Sequence, residues 1–217
     1  MSNMSLSEAL EELNRSFAAQ VPEGVVTEMA SSTELLRQSG LADHAVQAGQ
    51  SAPDFDLPEL GGNRVSLSEE VKNGPVVISF YRGAWCPYCN LEMQALQRAL
   101  PEIEAAGGKL IAIAPELPEH AGQIRDKGNL TFPLLNDRDN SVARECGLVF
   151  TLPASLRPVY EGFGIDLVSS QGNDRFELPI PATYIVDRDG VVAHAFVDVD
   201  YTKRMEPSEI IEVLKKL

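Results

Sequence analysis

Two cysteines stand three apart in Phe80-Tyr81-Arg82-Gly83-Ala84-Trp85-Cys86-Pro87-Tyr88-Cys89. An apolar run, Val76 to Phe80, leads into them, and a stretch of helical periodicity, Asn90 to Ala106, follows. Cys86 and Cys89 are therefore predicted at a junction between a strand and a helix. A helix N-terminus offers unpaired backbone N–H groups and a partial positive charge. A thiolate is stabilised there, and the thiolate is the nucleophilic form of cysteine. Two sulfurs at this spacing lie within disulfide reach, so one can attack and the other can resolve a mixed disulfide. The expected chemistry is dithiol–disulfide exchange, with Cys86 and Cys89 as the redox-active disulfide.

The remaining residues narrow this reading. A third cysteine, Cys146, stands alone beside Gly147 at the end of a predicted helix, where a buried inert thiol is expected. No second C-x-x-C and no H-x-x-x-H accompany the pair, so neither a metal nor another cofactor is expected. The histidines, His44, His120 and His194, are scattered and do not suggest a protease-type triad. The glycine pairs at 61–62 and 107–108 do not match a phosphate-binding loop. A net charge of −14 argues against nucleic acid and against an anionic membrane surface as partners. No apolar run reaches the ~18 residues of a membrane span. Met1 to Ala9 lacks the basic and apolar segments of a secretory signal, and a cytoplasmic location is expected.

The elements that must position the cysteines follow from periodicity. Residues 1–48 read as a helical extension, with Leu6, Leu10, Leu13 and Phe17 at helical spacing and a break at Pro22-Glu23-Gly24. It would pack on the main domain; as a dimerisation arm, the alternative, it would make a homodimer. Residues 49–217 read as one α/β domain, opening on a small hairpin around Gly61-Gly62. Buried strands are predicted at Val76–Tyr81, Leu110–Ala114 and Phe132–Leu135, separated by helices. Pro101 is expected to kink or split the helix after the cysteines. Residues 148–180 read as an irregular insertion, broken by Pro153, Pro158, Gly162, Gly164 and Gly172. A strand pair, Ala182–Val186 and Val191–Val197, turns at Asp189-Gly190, and a last helix starts near Pro207. Alternating strands and helices with a terminal hairpin imply a mixed central sheet flanked by helices.

Trp-Cys-Pro-Tyr-Cys after a buried strand resembles the active site of the thioredoxin-fold superfamily. Ala52-Pro53-Asp54-Phe55-Asp56-Leu57, Val65-Ser66-Leu67 and Ala182-Thr183-Tyr184-Ile185-Val186-Asp187 resemble the peroxiredoxin branch, the alkyl hydroperoxide reductase and thiol-specific antioxidant family. The resemblance spans roughly residues 48–200 and is nearest to the subfamily bearing C-x-x-C. It implies a thioredoxin-like fold and reduction of a hydroperoxide by a cysteine thiolate, with electrons from thioredoxin or another thiol. The family motif P-x-x-x-T-x-x-C, laid on this chain, puts its proline on Arg82, its threonine on Cys86 and its peroxidatic cysteine on Cys89. The family arginine that polarises the peroxide is replaced by Pro181, a position where thioredoxin-like reductases carry a cis-proline.

Two polarities follow from the resemblance. In the thioredoxin-like one, Cys86 is an exposed nucleophile and Cys89 the buried resolver. In the peroxiredoxin one, Cys89 is oxidised and Cys86 resolves it. Arg82 is a candidate replacement cation for a thiolate or a peroxide oxygen, or else a structural or surface arginine. Trp85 and Tyr88, with Pro181, are expected to wall a hydroperoxide site or to dock a partner. The expected function is a thiol-dependent peroxidase. The alternatives are a protein dithiol/disulfide oxidoreductase and a redox switch without turnover.

Overall fold

The computed structural model describes residues 4–217; Met1 to Asn3 of the expected extension lie outside them. In chain order the elements are α1 (Leu6–Gln20), α2 (Glu23–Gln38), α3 (Leu41–His44), β1 (Asp56–Pro58), β2 (Arg64–Ser66), α4 (Leu67–Glu70), β3 (Val76–Phe80), α5 (Pro87–Ala105), β4 (Lys109–Ala114), α6 (Pro118–Gly128), β5 (Leu134–Asn136), α7 (Ser141–Glu145), β6 (Val149–Thr151), α8 (Arg157–Gly162), α9 (Leu167–Gln171), β7 (Glu177–Pro179), β8 (Ala182–Val186), β9 (Val192–Val197) and α10 (Pro207–Leu214). Among the described residues no helix is long and apolar enough to cross a membrane.

The central sheet has five strands in the order β5-β4-β3-β8-β9. β3 runs parallel to β4, and β4 to β5, while β8 is antiparallel to both β3 and β9. This is the mixed sheet of a thioredoxin-like fold. β3 lies at its centre and every one of its residues is buried, which explains the uninterrupted apolar run.

Alternate strand residues go to opposite faces. On one face Val77, Tyr81, Leu110 and Ala112 pack with α5, α1 and α10. On the other, Val76, Ile78, Phe80, Ile111 and Ile113 pack with the β1–β2 hairpin and α7. Cys146 sits in this second layer, and the C-x-x-C pair sits in the first. Burial, with Asp137 and Glu145 nearby, pushes the Cys146 thiol up to about 12. It is therefore protonated and inert, as its sequence context suggested.

Two expectations need correction. The 148–180 segment is not irregular. β6 and β7 pair antiparallel, and two short helices lie between them over a cluster of Leu152, Leu156, Tyr160, Leu167 and Leu178. The prolines and glycines punctuate these elements: Pro158 enters the first turn of α8, and Gly172 caps α9 in the left-handed region. Nor does Pro101 split α5, which runs unbroken through it. Leu96, Leu100 and Ile103 are buried on both sides of the proline, and that packing holds the helix against the loss of one backbone donor.

The proline ring is itself exposed. Pro101→Ala restores an N–H for the Gln97 carbonyl one turn earlier, and we expect it to raise stability by about 1 kcal/mol. A higher urea midpoint at unchanged slope would show this. A lower midpoint would mean that the ring supplies packing the helix needs.

Candidate active site

β3 ends at Phe80, and one more backbone bond, from Tyr81 N–H to the Ile113 carbonyl (3.0 Å), extends its pairing. The chain then turns through Gly83, whose φ of +149° no other residue adopts easily. A Cβ there would lie 2.3 Å from Trp85 Nε1. Glu116 pins the turn by accepting a bond from Ala84 N–H (2.8 Å), and Ser170 Oγ, on α9, donates to the same carboxylate (3.1 Å). Cys86 is the N-cap of α5, Pro87 takes the first helical position, and Cys89 stands in the first turn.

Both thiols are free and buried, Cys86 2% exposed and Cys89 0%. The expectation of an exposed Cys86 is thus corrected. Cys86 belongs to the same buried cluster as Ala84, Tyr88 and Met205. Burial chiefly, and the Cys86 sulfur nearby, raise the hydroxyl pKa values of Tyr88, Tyr160 and Tyr201.

The two sulfurs are driven apart in pKa. Burial opposes ionisation of Cys86, but it is outweighed by hydrogen bonding from the Cys89 thiol, by Arg82 and Arg204, and by the Cys89 backbone N–H, which bring Cys86 down to about 6. Cys89 moves the other way: burial and the neighbouring Cys86 sulfur hold it well above the ordinary thiol range. These influences favour the thiolate on Cys86 and the protonated form of Cys89.

Arg82 is no surface arginine. It is 3% exposed, and its guanidinium lies over the rings of Tyr201 (4.7 Å), Trp85 (4.9 Å) and Tyr160 (5.7 Å). It donates to the Tyr160 hydroxyl, while its Nε–H has no acceptor. Burial works against its charge, but Tyr160 and the two cysteines keep it protonated. Among the described residues it makes no ion pair with a carboxylate.

Sequence reading missed the second cation. Arg204 Nη2 donates to Cys89 Sγ (3.3 Å), and its Nε donates to Glu92 Oε2 (2.5 Å). Its Nη1 is fixed by the Tyr201 and Lys203 carbonyls (2.6 Å each). Ser79 Oγ, from β3, completes the group by donating to Glu92 Oε1 (3.0 Å). Burial above all raises the Glu92 carboxyl to about 7, against the pull of Arg204. One signal was available. Cys89, Glu92, Met93 and Leu96 share a buried helix face, and an acid there needs a cation or a proton.

The other expected site residues are placed as follows. Trp85 is half-buried, and Tyr88 is buried against Tyr201 (ring centroids 5.5 Å), its hydroxyl donating to Asn14 Oδ1 (3.3 Å). Pro181 is buried beside Arg82 in the wall of one cavity, and its peptide bond is trans, as are all bonds among the described residues. The expected cis-proline is absent. Tyr160 and Tyr201, which flank Arg82, were not singled out from sequence; they come from distant segments.

Residues 48–195 match the AhpC/TSA family. The chain belongs to that family. It is 31% identical over 173 residues to peroxiredoxin Q, chloroplastic, of Oryza sativa subsp. japonica, an alignment covering 79% of this chain and 67% of that one. Against peroxiredoxin Bcp of Escherichia coli it is 28% identical over 153 residues, covering 70% and 86%. The crystal structure of peroxidoxin BcpB from Mycobacterium tuberculosis superposes with a TM-score of 0.62 at 20% identity, covering 79% of this chain and 98% of that one, and so shares the fold. Peroxiredoxins are thiol-dependent peroxidases, and this chain is an oxidoreductase of that class. Helices α1 to α3, and Arg204 with Tyr201, lie outside the family-matched residues.

The charge arrangement has a pH signature. Alkylation of Cys86 by iodoacetamide, followed by peptide mapping, is expected to show a midpoint near 6 instead of the ordinary 9.0. Arg82→Met should move that midpoint upward by about one unit or more. Because the unfolded chain keeps this proton, the Cys86 contribution to stability grows as pH rises from about 6 toward 9.0 and vanishes below 6. A midpoint unmoved by the Arg82 substitution would sink the assignment of Arg82 as the countercharge.

Proposed function

We propose that this protein reduces hydroperoxides with Cys86 as the attacking thiolate and Cys89 as the resolving thiol, recycled by thioredoxin or another external dithiol. The observation that carries the reading is the place of Cys86 at the N-cap of α5 beside a buried Arg82 that has no carboxylate partner among the described residues. Against burial, Cys89, Arg82 and Arg204 lower its thiol to about 6, while burial and Cys86 raise Cys89. Only the thiolate attacks.

The step balances without a cofactor. The Cys86 thiolate attacks the terminal oxygen of R–O–O–H. An S–O bond forms, the O–O bond breaks, and the alkoxide takes the Cys89 proton to leave as R–OH. The new Cys89 thiolate attacks the sulfenic sulfur of Cys86, closing the disulfide and releasing hydroxide. An external dithiol is oxidised as it returns both cysteines to the reduced state. Arg82 supports the first step. Its charge stabilises the thiolate, and its free Nε–H suits an oxygen on which charge develops as the O–O bond breaks. Arg204 and Glu92 hold the Cys89 end.

One observation favours the opposite polarity. Arg204 Nη2 rests 3.3 Å from Cys89 Sγ, the sulfur that falls at the family's peroxidatic position. In that reading Cys89 is oxidised and Cys86 resolves. The division into a helical extension over 1–48 and a thioredoxin-fold unit over 49–217, with the 148–180 segment inserted, belongs to the same proposal.

Treating Cys86→Ser and Cys89→Ser with peroxide and a sulfenic-acid probe separates the readings. Label on Cys86 in Cys89→Ser, and none in Cys86→Ser, is the expected result, with turnover lost in both. Label on Cys89 in Cys86→Ser would reverse the polarity. If the wild-type protein consumes no peroxide yet reduces insulin disulfides, it is a dithiol/disulfide oxidoreductase instead.

A further inference from the structure

Both sulfurs are buried, Cys86 2% and Cys89 0% exposed. One cavity reaches Arg82. It holds about 220 Å³, and Arg82, Tyr160 and Tyr201 form its inner end. Its sides are Phe150, Leu152 and Ile180, and its outer wall is α2, through Met29, Ser32 and Leu36. Apart from Arg82 the lining carries no charge. An apolar cavity of about 150 Å³ already takes an aromatic ring.

α2 is unlike the other long helices. None of its residues is fully buried, whereas α1 and α5 each bury residues in the core. Met29 packs on the cluster of the 148–180 segment and Leu36 on the sheet layer, so α2 bridges the two and closes the cavity between them. It also lies outside the residues that match the family. At the inner end, Arg82 is 3% exposed and its Nε–H lacks an acceptor. A buried donor of this kind is costly unless a ligand satisfies it.

We propose that α2 is the substrate-selecting wall of this enzyme: the cavity beneath it receives the apolar group of an organic hydroperoxide and presents the peroxide oxygens to Arg82, whose charge acts on Cys86. The inference rests on the peroxidase reading and deepens it. Met29, Ser32 and Leu36 are specificity-determining residues and take no part in the bond changes. Hydrogen peroxide, with no apolar group, gains nothing from the wall. An organic hydroperoxide gains the burial of that group.

Ser32→Phe fills the cavity from a half-buried position and removes no packing. It also leaves Trp85 as the one tryptophan of the chain. In the full-length protein we expect its kcat/KM for cumene hydroperoxide to fall about tenfold or more, mainly through KM, and that for hydrogen peroxide to stay within about twofold, as steric changes in apolar pockets do. Met29→Ala, which enlarges the cavity, should shift the preference toward bulkier hydroperoxides. Equal losses for both peroxides, or no change for either, would overturn the proposal. Cumyl alcohol, the unreactive product, gives a second readout through Trp85 fluorescence. If the wild-type protein turns over neither peroxide, saturable quenching by cumyl alcohol that Ser32→Phe weakens would sink the peroxidase reading and keep the chamber. Absence of saturable quenching would sink the chamber itself.

Discussion

A buried guanidinium without a carboxylate sets the terms for this site. Removing a charge from water costs several kcal/mol unless partners are arranged around it. Arg204 meets that demand with Glu92, Ser79 helping from below. Arg82 meets it only in part, with three aromatic faces and one hydroxyl. Its charge lowers the Cys86 thiol, and the N-terminus of α5 favours the same thiolate. The fold's deepest strand, its longest helix and its C-terminal segment all converge here because each delivers one member of this charge group.

Burial then works in favour of the chemistry. In a water-poor site, the attraction between Arg82 and the thiolate is larger than it would be at the surface. Groups already fixed need no reorganisation when charge moves from sulfur to oxygen. The cost is access. On the proposed cycle, a reductant as large as a protein reaches a disulfide between two buried sulfurs only if a covering element shifts. α2 has no fully buried residue to expose. The Tyr201–Met205 segment is tied down by Arg204 and by the Tyr88–Tyr201 ring contact.

What the sequence made legible was local. The strand-to-helix placement of the cysteines, the mixed sheet, the Asp-Gly hairpin and the inert Cys146 all follow from patterns within about twenty residues. Arg204 did not follow, because it sits 115 positions from Cys89 and nothing around it marks it as buried. Glu92 was legible in principle, as an acid on a buried helix face, as was Ser79 in an otherwise apolar strand. Tyr160 was hidden by the reading of 148–180 as irregular. Proline and glycine there suggest loop by local rule, but they mark the ends of elements too short to show periodicity. Pro101 failed the other way: a strong local rule yielded to packing on both sides of it.

The two departures from the peroxiredoxin motif are best understood as one change. Arginine in the place of the motif proline puts an unmatched cation under the core, and cysteine in the place of the motif threonine supplies an anion there. Either alone would be costly or useless. Arg82 beside a hydroxyl would remain a buried charge without a counterion, and Cys86 without Arg82 would lose a main cause of its lowered pKa, leaving burial to raise it. On the proposed polarity, together they favour a thiolate at Cys86, three residues before the position that the motif gives its peroxidatic cysteine, with Cys89 as its proton donor. That proposed polarity resembles a thioredoxin's in a chain of the AhpC/TSA family. Pro181, buried where the family's arginine would stand, fits the same logic: with Arg82 already in the cavity wall, a second cation there would leave another buried charge to balance.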